Sequence, residues 1–435
     1  MRRKDRFSDQ IYICVLIFSV IIVGLVQLIM INKLRFVPSF DLDAIYGGAV
    51  QWIETGSFPD YYDYFDWFPN NLGGLCFLYL MFKAGTIFTA DYFAMAAVIN
   101  MIIILSTVIL TSLTARKLWG NKCGLLALVL FMCMPPLYFM ADAFYTDSLS
   151  ILFPISLFYI SLKIKESKGT KLIILCMASG LLAAVGSLVK PTVMIMVVAI
   201  SLSFLLQKRW TKLGIYIVSV GIIYLMITIA FQSYIYENHL NAELARIKNT
   251  PVYHWVMMGL SGDGGYNPAD YDFTRSFSNP KIRDAALRNE IKNRIAQKGM
   301  AGMIALYAAK LVRCFGDGTL GISDFLDDNP CQYSRIHDYI LYSGDKYPSY
   351  KSLCNTVFYT LLLFMLICVV IEMTKGKRAE LISAVLAMIG ITVFLMHWET
   401  SARYITNYVP VILVLATGGI RYLGYGVGKM RMKEE

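Results

Sequence analysis

Apolar stretches of membrane-spanning length dominate the chain, at roughly 11–31, 92–115, 121–141, 146–162, 171–189, 191–207, 213–236, 352–373, 381–397 and 404–420. As helices they approach the ~20 residues needed to cross a hydrocarbon core of ~30 Å. An eleventh run, LGGLCFLYLMF at 72–82, is short. Whether it crosses decides the side of every later loop, and the distribution of basic residues discriminates between the two choices. If it does not cross, the N-terminus (Arg2, Arg3, Lys4, Arg6), ARKLWGNK, KIKESKGTK, QKRWTK, TKGKR and the tail GKMRMKEE all lie on the cytoplasmic side. If it crosses, all but the first face out. The pattern therefore predicts about ten spans, with 70–85 as a helix lying at or dipping into the outer leaflet.

The expected fold class is an all-α polytopic membrane protein with outer-face interfacial helices and one large extracytoplasmic loop domain. Its regions are 1–31 (cytoplasmic N-terminus and first span), 32–91 (first outer loop), 92–236 (transmembrane core), 237–351 (extracytoplasmic loop domain) and 352–435 (C-terminal spans and basic tail). Within the large loop, KIRDAALRNEIKNRIAQKG reads as a charged helix and MAGMIALYAAKLVRCF as an amphipathic helix able to lie on the membrane. The stretch GDGTLGISDFLDDNP reads as loop.

Composition agrees. Of 435 residues, 57% are hydrophobic and 16% charged, and the mean hydropathy is +0.55, against about 25% charged in an average soluble domain. The net charge of +10 follows from basic span ends, and no basic stretch interleaved with stacking aromatics points to nucleic acid. Nine cysteines show no CxxC pair and lie mostly in apolar runs, so neither a disulfide framework nor a zinc site is expected. MRRKDRFSDQ is followed by about twenty apolar residues without a small-residue cleavage site, the pattern of a retained signal anchor. GSLVKPT lacks the second glycine and the hydroxyl residue of a P-loop. Ionisable residues cluster at span ends, which disfavours ion-coupled transport through a midplane site.

At the predicted outer face, polar residues gather from distant segments: Asp41 and Asp43 after the first span, Tyr145 and Asp147 in AFYTDSLS, Lys190 in KPT, and His397, Glu399 and Arg403 in HWETSARY. Carboxylates can take a proton from a hydroxyl, and lysine or arginine can stabilise a departing phosphate. Together they suit group transfer from a phosphate-linked donor. Blander roles exist for each. Asp41 or Asp43 suits the cap of DAIYGGAVQWIET, which Gly56 would end. The aromatics of YYDYFDWF suit an interface belt that leaves Asp63 and Asp66 to explain, with Glu54 and Asp60 solvated. Lys190 suits a snorkelling lysine, and Glu399 with Arg403, four apart, suits a structural ion pair. The four histidines form no ligand cluster in sequence.

The order of these motifs, from the acids after the first span through FPNNLG and YTDSLS to ETSARYITNYVP before the last, resembles integral-membrane glycosyltransferases of the GT-C type. The bacterial branch akin to protein O-mannosyltransferases and lipid A aminoarabinose transferases is the nearest likeness, over residues 35–420. The resemblance implies an enzyme of the plasma membrane, facing outward, that moves a sugar from a polyprenyl-phosphate donor to a hydroxyl of a glycan, lipid or protein in the cell envelope. It implies Asp41 as preferred base and Asp43 as second acid, their order left open. Lys190, Arg403 and Tyr404 would approach the donor phosphate, and Asp66, Asn70, Asn71, Tyr145, Asp147, His397 and Glu399 would complete the site. At FPNN the chain departs from those relatives, which carry a basic or histidine residue before paired prolines. No cofactor is required; a divalent cation (Mg or Mn) at Asp41, Asp43 and Asp147 is compatible. The alternative from another class is a flippase of lipid-linked envelope intermediates.

Overall fold

The computed structural model describes residues 2–59, 63–326, 329–375 and 379–434, without the side chains of 2–8, 375 and 425–434. Asp60 and the basic side chains of the N-terminus and tail thus lie outside the described set, as do those of Lys375, Lys377 and Arg378. The described residues are helical, with no strand and a single bridge between Phe36 and Pro330.

The principal helices are α1 (Arg2–Lys33), α2 (Phe40–Thr55), α3 (Leu72–Gly85), α4 (Tyr92–Trp119), α5 (Asn121–Met132), α6 (Leu152–Glu166), α7 (Gly169–Val189), α8 (Met194–Leu206), α9 (Trp210–Asn238), α10 (Pro280–Phe315), α11 (Tyr347–Lys375), α12 (Ile382–His397) and α13 (Val409–Glu434). Among the described residues seven helices are long and apolar enough to cross a membrane, and two shorter apolar ones, Asn121–Met132 and Pro191–Leu206, accompany them. The protein is an all-α integral membrane protein. The start of α13 is its most enclosed part, with Val409 and Val411 to Ala416 fully buried. Apolar side chains of α9 such as Val218, Ile222 and Met226 are instead exposed, as on a lipid-facing helix, where association rests on close packing of small residues. Gly180 provides such a contact between α7 and α9, where a Cβ would meet Ile223 and Val220.

Helix ends meet at two opposite levels. At one, Asp9 accepts from Arg116 (2.9 Å) and Asn121 (2.8 Å), Lys117 pairs with Glu166 (2.7 Å), and Lys212 donates to the Lys165 carbonyl (2.6 Å). At the other, Arg35 after α1 makes a two-pronged pair with Asp91 at the start of α4 (2.5 and 2.6 Å). The chain therefore leaves and returns at one level across 36–90. Helix α3, of 14 residues, lies within that stretch. It packs Leu75, Leu78 and Phe82 inward while Leu80 and, just beyond its end, Phe88 stay exposed.

Between α9 and α11 the chain forms short helices and the long α10. The expected break between its charged and amphipathic halves falls at Gly299, which has φ 58° and ψ −171° inside the element. Beyond it, Met300, Ile304 and Val312 are exposed. Lys310 and Arg283 are buried. Lys310 donates to the carbonyls of Gly259, Met396 and Trp398 (2.7–2.9 Å), and Arg283 to those of Ile247 and Lys248 (2.9 and 3.1 Å). These donated hydrogen bonds offset part of the cost of burying each cation, and Asp284 lies 3.6 Å from the Arg283 Nε.

Candidate functional site

Four segments supply the site, all at the level of the Arg35–Asp91 pair. In the first, Ser39 occupies the N-cap of α2 and Asp41 and Asp43 lie inside the first turn, so neither acid is consumed as the cap, although both suit the positive helix end. Phe40, directly before Asp41, has φ 50° and an exposed ring; a left-handed conformation at an aromatic residue is strained and needs local support. Gly56 closes the helix in the left-handed conformation, as expected.

In the second segment, Pro69–Asn71 forms a 3₁₀ turn leading into α3. Gly73 lets that helix start lie on the end of α7, since a Cβ there would collide with the Leu188 carbonyl. This contact brings Asn70 to a pocket of about 130 Å³ shared with Ser187, Leu188, Pro191, Gln232 and Tyr236. The third segment is Tyr145–Leu149, and the fourth joins Lys190–Val193 to the 3₁₀ helix Ala402–Tyr408. Asn407 donates to Thr192 (3.1 Å) and Ser150 (3.3 Å), and Tyr408 to the Thr192 carbonyl (2.9 Å). The bonds to Thr192 hold the two parts of the fourth segment together, and the one to Ser150 ties them to the residue that follows the third.

The side chains form a continuous polar ladder. Asn71 Nδ2 donates to the Tyr64 hydroxyl (2.6 Å), which donates to Asp41 Oδ1 (2.7 Å); Tyr145 donates to Asp41 Oδ2 (3.3 Å). The Arg403 guanidinium lies over the rings of Tyr145 (5.2 Å), Phe325 (5.3 Å) and Tyr404 (5.5 Å), with Nε 3.8 Å from Asp147. Asp147 is in direct contact with the Lys190 ammonium, which sits 4.9 Å from the Tyr404 ring centre. Tyr404 then donates to Glu399 (2.5 Å). The Glu399–Arg403 ion pair does not take the expected form: 402–408 is a 3₁₀ helix, which changes the side-chain spacing, and Arg403 pairs with Asp147.

Burial governs the electrostatics. It draws the Lys190 ammonium well below the ordinary lysine range, with Arg403 adding to the shift and Glu399 opposing it. It raises the Glu399 carboxyl against the opposing Tyr404 hydrogen bond. Burial also works against the Arg403 charge, but Tyr404, Tyr145, Asp41 and Glu399 together more than offset it, so the net shift is upward. Both Tyr64 and Tyr145 are raised by burial first and by Asp41 second, so they stay protonated donors to that carboxylate.

Of the residues singled out from sequence, Asp41, Asn70, Asn71, Tyr145, Asp147, Lys190, Glu399, Arg403 and Tyr404 belong to this ladder or its rim. Asp43, Asp66 and His397 do not. Asp43, two positions along α2, acts electrostatically on Tyr46, because residues two apart on a helix face different ways. Asp66 is buried 4.0 Å from Lys248, which also pairs with Asp63 (2.5 Å). Exposed at the end of α12, His397 bonds the Val393 carbonyl (2.9 Å). Among the described residues no group of three or more His, Cys, Asp or Glu side chains could hold a metal ion.

The profile of a family described as conserved hypothetical integral membrane protein matches residues 4–421. The chain belongs to that family. A search of curated proteins returned no match.

Tyr64 and Phe325 were not foreseen as site residues. Tyr64 sits in an aromatic run that reads as an interface belt, and only its hydroxyl, hydrogen-bonded to Asp41 and Asn71, separates it from its neighbours. No sequence signal marks Phe325; its ring matters because Arg403 lies over it.

Proposed function

We propose that this member of the family is a glycosyltransferase of the GT-C type, acting on the outer face of a bacterial plasma membrane. Its ten crossings are the seven long apolar helices, the two shorter ones and α13, with 36–90 and the segment between α9 and α11 outside. The donor is a polyprenyl-phosphate sugar. The acceptor is a hydroxyl of a cell-envelope glycan, lipid or protein.

One observation carries the reading: a half-buried carboxylate, Asp41, held by two tyrosine hydroxyls, is linked through Tyr145 to the half-buried Arg403 and the buried Lys190. In a single displacement the acceptor oxygen attacks the anomeric carbon while the bond from that carbon to the phosphate oxygen breaks. The acceptor proton passes to Asp41, and the electron pair leaves with the lipid phosphate, toward Arg403 and Lys190. The anomeric configuration inverts. A phosphate arriving beside Lys190 replaces part of the charge compensation that Asp147 supplies and favours the protonated amine. The pocket by Asn70, Pro191 and Tyr236 borders the lipid-facing helix α9, which suits a donor that enters from the leaflet.

The test is transfer by purified protein in detergent from a labelled polyprenyl-phosphate sugar to envelope acceptors. Asp41→Asn and Arg403→Ala should each abolish detectable turnover; full transfer by both would reject the assigned roles. Movement of the labelled carrier across reconstituted vesicles without sugar transfer would instead favour a flippase.

A further inference from the structure

Away from the ladder, three fully buried polar side chains converge on the turn that leads from α5 to Tyr145. Gln27 of α1 donates its amide N–H to the Leu137 carbonyl (2.8 Å). Asn100 of α4 donates to the carbonyls of Met140 (2.7 Å) and Ala141 (3.1 Å), the two residues before Asp142. The turn is compact, with Met140 N–H bonded to the Pro136 carbonyl (3.0 Å) and Asp142 N–H to that of Phe139 (3.4 Å). Gln27, Asn100 and Asp142 all have zero exposure.

Their donors are spent on the turn, and their acceptors are not satisfied. The Gln27 Oε1, the Asn100 Oδ1 and both carboxylate oxygens of Asp142 accept no hydrogen bond from the described residues. The planar amide puts Asn100 Oδ1 one amide width from the nitrogen that holds Met140 and Ala141, next to Asp142 in the chain. Four buried oxygens without donors around one turn are outside the ordinary pattern of protein interiors, and an ion is one of the few explanations of such a group. A buried carboxylate with no counter-charge is costly. Burial alone pushes Asp142 up to about 8, with only its own backbone opposing, and no charged neighbour among the described residues contributes.

We propose that Asp142, Asn100 and Gln27 bind a hard monovalent cation such as sodium. The donors are all hard oxygens, the type that hard cations take. One carboxylate balances one positive charge, so a divalent ion would leave a buried net charge. Bound there, the ion ties α1 and α4 to the turn whose continuation carries Tyr145 and Asp147. This site is separate from the Asp41–Arg403 ladder and does not depend on the transfer reaction.

Two measurements on the full-length protein in detergent test the site: thermal unfolding in sodium, potassium or choline chloride at equal ionic strength, and direct binding of ²²Na⁺. Sodium should raise the wild-type midpoint over choline by at least about 3 °C, saturably, and ²²Na⁺ should bind near one per chain. Asp142→Asn should lose both effects. Asn100→Leu should weaken ²²Na⁺ binding at least tenfold, and serves if Asp142→Asn does not fold. No sodium effect and no ²²Na⁺ binding by the wild type would overturn the proposal. Sodium binding that survives both substitutions would overturn it equally.

Discussion

Replacing Lys190 by Met removes the cation in direct contact with Asp147 while leaving that carboxylate in place. Both side chains are nearly enclosed, at 10% and 5% exposure. Two unit charges about 4 Å apart interact by ~4 kcal/mol at the effective dielectric that suits protein sites, and removing one partner of a buried pair typically costs ~3–5 kcal/mol. Arg403 remains 3.8 Å from Asp147, so Lys190→Met should fall at the lower end, about 3 kcal/mol. The double variant Lys190→Met/Asp147→Asn deletes both charges and should recover most of that loss, within about 1 kcal/mol of wild type, since a neutral replacement of a buried pair is often tolerated. The coupling between the two sites is then about 2 kcal/mol or more. Equilibrium unfolding in SDS–detergent mixtures, monitored by tryptophan fluorescence, measures all four corners of the cycle. A coupling below ~0.5 kcal/mol would show that the contact does not hold the site together. Under the proposed function the double variant still fails in transfer, because the phosphate-facing cation is gone. Recovered stability with recovered transfer would refute that role for Lys190.

Tyr64→Phe removes one of the two hydroxyls on Asp41 and should lower transfer about tenfold or more with little change in stability, whereas Asp41→Glu should not restore the rate, as radiolabelled-product assays can show. Gly73→Val drives a side chain into the Leu188 carbonyl and should destabilise by about 2 kcal/mol or more in the same SDS titration, although it changes no polar group. Burial raises Glu399, so the folded state holds that proton more tightly than the unfolded one. Its contribution is full below the ordinary glutamate range and is lost as pH rises through the raised value. Glu399→Gln should flatten that part of the stability profile. Under the proposed topology, a cysteine in place of the exposed Lys83 should react with a membrane-impermeant maleimide from outside intact cells; reaction only after lysis would reject the placement of 70–85.

Hydrophobic runs and basic loops made the helices legible because a lipid solvent leaves the backbone few alternatives. The kink at Gly299 was legible because a glycine stands there between a charged and an amphipathic run. Asp147, Lys190 and Arg403, gathered from distant segments of the sequence, do meet. Site membership was not legible where the choice depended on rotation about a helix or on a turn type. Asp41 and Asp43 differ by two positions, about 200° around an α-helix at 3.6 residues per turn, and only packing of α2 on α3 decides which of them meets Tyr64 and Tyr145. Glu399 and Arg403 have the spacing of an α-helical ion pair, and the 3₁₀ turn redirects Arg403 to Asp147. Asp142 drew no attention in sequence because a lone acid in an apparent outer turn reads as solvated. Its enclosure arises from Asn100 and Gln27, 42 and 115 positions away in sequence, whose amides face the turn with their nitrogens and leave their oxygens to something else.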